Sequence, residues 1–99
     1  MSENNAYVDK LQARLDRLNA ELEGLEAEAR EKQADAEIQG RRRELVEGLR
    51  RQRDQAAERL GELREAGEAA FDDLKTGVES ALEELGRGFE RARRDSRGD

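Results

Sequence analysis

The feature that most constrains this chain is a ladder of large apolar residues at Val8, Leu11, Leu15, Leu18, Leu22 and Leu25. Its gaps alternate between three and four, and almost only charged or polar residues and alanines lie between the rungs. With Val8 at heptad position a, Leu15 and Leu22 also fall at a, while Leu11, Leu18 and Leu25 fall at d. A stripe this narrow stays wet on a lone helix, so it requires a partner helix.

Composition closes off the other fold classes. Proline is absent, and the β-branched residues are only Val8, Ile38, Val46, Thr76 and Val78, so a sheet has little to build on. A chain that is 44% charged with mean hydropathy -1.13 would stay disordered if its apolar residues were scattered. They are periodic instead, and twelve are leucines and fourteen alanines, which is the composition of long helices and coiled coils. The opening residues lack a basic segment followed by an apolar run, and no stretch approaches the length of a membrane span, so the expected location is cytoplasmic.

Asn4 or Asn5 is the expected cap of helix one, over about 5–38. Between Glu26 and Glu37 the ladder continues only through small or polar residues, with Lys32 on the seam. Gly40, followed by Arg41, Arg42 and Arg43, is the expected helix stop and turn. A second apolar series then runs through Leu45, Leu49, Leu60 and Leu63 to Leu74. If the chain reverses near Gly40, facing residues have numbers totalling 81 or 82, pairing Leu22 with Leu60, Leu18 with Leu63 and Val8 with Leu74. Charge agrees with such a hairpin: residues 1–38 carry five bases and ten acids, and residues 39–66 eight bases and six acids.

The third stretch has its own stripe, Phe71, Leu74, Val78, Leu82, Leu85 and Phe89. Read as a continuation, helix two extends over about 42–94 and overhangs the hairpin, leaving that face for a second copy to cover. The alternative is a break within 61–67 that folds the stretch back into a three-helix bundle. Gly24, Gly48, Gly77 and Gly86 lie beside core positions, either as surface glycines or as points of close helix approach in a higher assembly.

Chemistry is sparse. Histidine and cysteine are absent, and the hydroxyl side chains are Ser2, Tyr7, Thr76, Ser80 and Ser96, so no nucleophile has a base beside it in sequence. The expectation is a non-enzymatic protein without cofactor. Asp72 with Asp73, and Glu83 with Glu84, read as surface charge rather than metal ligands. Arg41–Arg43 with Arg50, Arg51 and Arg53 is the strongest positive feature and the place where nucleic acid would bind. No aromatic residue interleaves there, and the chain is -6 overall, which argues against it. The amphipathic stretch 67–92 could lie on a membrane, but its polar face is acidic, which anionic lipid repels.

The start Asn5-Ala-Tyr-Val-Asp-Lys-Leu-Gln-Ala-Arg-Leu, the alanine-rich middle and the Phe71-Asp-Asp-Leu-Lys-Thr-Gly-Val-Glu-Ser-Ala-Leu-Glu-Glu-Leu segment resemble small bacterial coiled-coil stress-response proteins. The resemblance implies an all-helical, stress-associated cytoplasmic protein and supplies no site. The sequence therefore predicts an all-α antiparallel hairpin or coiled coil. Its seam would be Val8, Leu11, Leu15, Leu18, Leu22, Leu25, Leu45, Leu49, Leu60 and Leu63. Self-association into a homodimer or larger species would run through Phe71, Leu74, Val78, Leu82, Leu85 and Phe89, making a scaffold or chaperone-like binder of helical proteins.

Overall fold

A computed structural model describes the backbone of residues 2–31 and 35–98 and the side chains of 4–31 and 35–94. Three helices follow one another: α1 (Ser2–Glu31), α2 (Ala36–Glu65) and α3 (Glu68–Gly98). At about 1.5 Å per residue, thirty residues make roughly 45 Å. The result is a rod of 52 × 19 × 17 Å, with α2 antiparallel to both neighbours.

The three-helix alternative is the one realised, and the continuous second helix over 42–94 is corrected. α2 stops at Glu65; Ala66 is extended (φ -71°, ψ 140°), and its N–H reaches the Leu63 carbonyl at 3.2 Å. The Gly67 carbonyl then accepts from Ala70 and Phe71 N–H at 3.2 and 3.1 Å, opening α3, with Glu68 near its positive end. Two residues suffice for the reversal.

The first turn also moves. Gly40 lies inside α2, and the helix begins behind Asp35, whose carboxylate accepts from Ile38 N–H at 2.9 Å. An aspartate cap followed by Glu37 in the first turn satisfies amides that a glycine cannot, so the start forms there. The seam expected through Lys32 falls outside the described residues. α1 begins at Ser2, which places Asn4 and Asn5 within the helix rather than at its cap.

The earlier turn shifts the α1–α2 register. Arg53 bonds Asn19 at 2.8 Å, Arg64 bonds Gln12 at 3.0 Å, and Arg50 pairs with Glu26 at 3.0 Å. These numbers total 72 to 76, so the pairing at 81 or 82 is corrected. In the new register each donor lies on α2 and each acceptor on α1, but of these three contacts only Arg50–Glu26 joins opposite charges, Asn19 and Gln12 being neutral amides.

The ladder supplies the core. Val8, Leu11, Leu15 and Leu22 of α1 meet Leu49, Ala56, Leu60 and Leu63 of α2, with Leu18, Leu25 and Leu45 packed partly exposed at the margin. α3 adds Phe71, Val78, Ala81, Leu82, Leu85, Phe89 and Ala92, and Leu74 packs against them. Among the described residues no polar or charged side chain is counted in that core.

Candidate functional site

Of the six residues expected at an oligomer interface, five are buried inside this one chain and Leu74 is partly buried against them. Val78, Leu82 and Leu85 have no exposure, Phe89 is 2% exposed and Phe71 7%. The stripe is buried within the chain, packed in one core with residues of α1 and α2. An apolar period states that a face is buried and leaves open which element buries it.

Close approach occurs at a glycine outside the four singled out. A Cβ built on Gly88 would stand 2.7 Å from Leu49 Cδ2 and 3.0 Å from Gln52 Oε1, whereas one on Gly24, Gly48, Gly77 or Gly86 meets nothing within 4 Å. The signal was present: Gly88 lies three after Leu85 and four before Ala92, on the buried stripe. There α3 lies tight against α2.

Tyr7 joins α1 to α3. Its ring meets Phe71 edge-on at 6.5 Å between centroids, Lys75 Nζ sits 4.6 Å above its face, and its hydroxyl donates to Glu79. Burial, the hydrogen bond to Glu79 and that carboxylate's charge push the phenol up to about 12, with Arg14 acting against them. Further along the same seam Arg93 pairs with Glu21. These contacts lock α1 beside α3 and leave the phenol protonated at neutral pH, unsuited to act as a base.

The arginines of α2 divide between uses. Arg41 is paired along its own helix with Glu37 at 2.9 Å, and Arg53 holds Asp54 and Asn19. Arg42, Arg43 and Arg50 join Gln39 and Val46 on one face, with spacings of three, one, three and four. Glu26, Ala29 and Arg30 of α1 stand opposite, and together they line an open groove of about 350 Å³. Arg30 is the member that the arginine run alone could not reveal, because it comes from the other helix. Beneath the rim, Arg42 Nη1 is buried and meets no acceptor among the described residues.

Over the described helices the charge is uneven: α1 holds four bases against eight acids, α2 eight against seven, and α3 six against eight. No group of three or more carboxylates is disposed to hold a metal ion among the described residues. No described helix is long and apolar enough to cross a membrane. Comparison of the chain with protein-family models, with characterised proteins and with solved structures gave no match.

Proposed function

We propose that this chain is a non-enzymatic interaction module that works as a single folded copy and meets its partners through charged helix faces. The observation that carries the reading is the inward turn of Phe71, Val78, Leu82, Leu85 and Phe89, which spends most of the apolar surface of α3 on the chain's own core. What faces outward is charge arranged by helix, a surface suited to polar recognition rather than to hydrophobic capture. On the family resemblance alone, the partner would be another helical protein in a stress response.

Sedimentation equilibrium over a wide concentration range tests this reading. The expected result is a monomer of 11.2 kDa throughout, since the α3 residues Phe71, Val78, Leu82, Leu85 and Phe89 are already buried within one copy. A concentration-dependent dimer would restore the self-associating scaffold, with α3 exchanged between copies. Flotation with anionic phospholipid vesicles should leave the protein in the soluble fraction. Flotation of the protein would replace the proposal with the membrane-surface reading, in which α3 leaves the bundle.

A further inference from the structure

We infer that the groove between the last turns of α1 and the first turns of α2 binds a small ligand bearing phosphate groups. This goes beyond the module reading and stands on separate observations. The first is a charge imbalance. Arg30, Arg42, Arg43 and Arg50 line the groove against the single carboxylate of Glu26, which Arg50 already occupies at 3.0 Å. Four cations against one anion leave a local charge of +3 on a protein of net -6.

The second observation is the buried Nη1 of Arg42, a charged donor without an acceptor among the described residues. Leaving such a donor unmatched is costly, and a turn of the Arg42 side chain toward an oxyanion in the groove would match it. Ala29 and Val46 form an apolar part of the lining. Guanidinium forks fit the paired oxygens of a phosphate group better than a point charge does. A volume of about 350 Å³ accommodates a small ligand.

The surroundings favour a compact anion over a long one. Beyond the groove, α1 carries seven acids against three bases, so a polyanion that extended along the bundle would meet repulsion.

Calorimetric titration of the full chain with pyrophosphate at low ionic strength tests the site, with chloride at matched ionic strength as reference. Saturable binding is expected, weakened at least about tenfold in Arg42→Gln/Arg43→Gln. Arg59→Gln/Arg64→Gln, on the opposite half of α2, should bind as the unaltered chain does. Arg42→Met keeps the buried stem while removing the fork, so its helical circular dichroism should persist as its affinity falls. The inference is overturned by absent saturation, or by equal loss in the Arg59/Arg64 variant, which would mean diffuse screening. Tighter binding of duplex nucleic acid or of anionic vesicles through the same arginines would overturn it as well.

Discussion

Gly88 and Tyr7 show how much a single position can decide in a bundle whose core is otherwise leucine and alanine. Replacing glycine by alanine inside a helix gains up to about 1 kcal/mol of propensity. Gly24→Ala should collect that gain, because its Cβ meets nothing within 4 Å, and its melting temperature should rise by about 4–8 °C. At Gly88 the same methyl pushes Leu49 and Gln52 aside, so Gly88→Ala should melt near the unaltered chain, and Gly88→Val below it by about 1–3 kcal/mol. Thermal melts of the three variants by circular dichroism decide this. Tyr7 makes a pH prediction. Its folded pKa lies above its unfolded value near 10.0, so the protonated phenol stabilises the fold fully below pH 10. That contribution drains away as pH rises toward 12. Denaturant titrations across this range should show the loss in the native chain and a flatter profile in Tyr7→Phe. Since Tyr7 is the only tyrosine, its tyrosinate absorbance follows the same group directly.

At the scale of the helix, the legible part was periodicity and the illegible part was punctuation. Val8 to Leu25 declared α1 because its heptad spacing is a property of one segment. The stripe from Phe71 to Phe89 declared α3 equally well, but its partner depended on where α2 ended. Ala66-Gly67 carries no proline, and a two-residue break leaves almost no compositional trace. Gly40 before three arginines marks no turn, because Asp35, five residues earlier, supplies the cap that starts α2. A glycine permits a stop, whereas a capping carboxylate supplies the bonds that start a helix. The arginine run was visible too, yet its groove needed the register, which brings Arg30 across from α1. Because α3 contributes about half of the buried core, its integrity should govern the whole fold. Leu85→Ala should lower stability by about 2–5 kcal/mol. Leu85→Asp, which places a carboxylate at a fully buried position, should abolish the cooperative helical transition. A self-associating overhang would instead lose mass while keeping its helicity, so circular dichroism together with sedimentation separates the two architectures.

For the whole molecule, neighbouring helices are close in sequence: α2 starts at Ala36 after α1 ends at Glu31, and α3 starts at Glu68 after α2 ends at Glu65. The α1–α2 and α2–α3 pairings are therefore quick, local events, since short loops close at little entropic expense. The α1–α3 seam is different: Tyr7 reaches Glu79 and Arg93 reaches Glu21 across 72 positions of sequence, so each contact closes a far longer loop and costs more chain entropy unless the hairpins have already drawn its ends together. Tyr7, set at that seam against Phe71 and Glu79, is thus a built-in reporter of its closing, its emission changing when α3 docks on α1 rather than when an isolated helix appears.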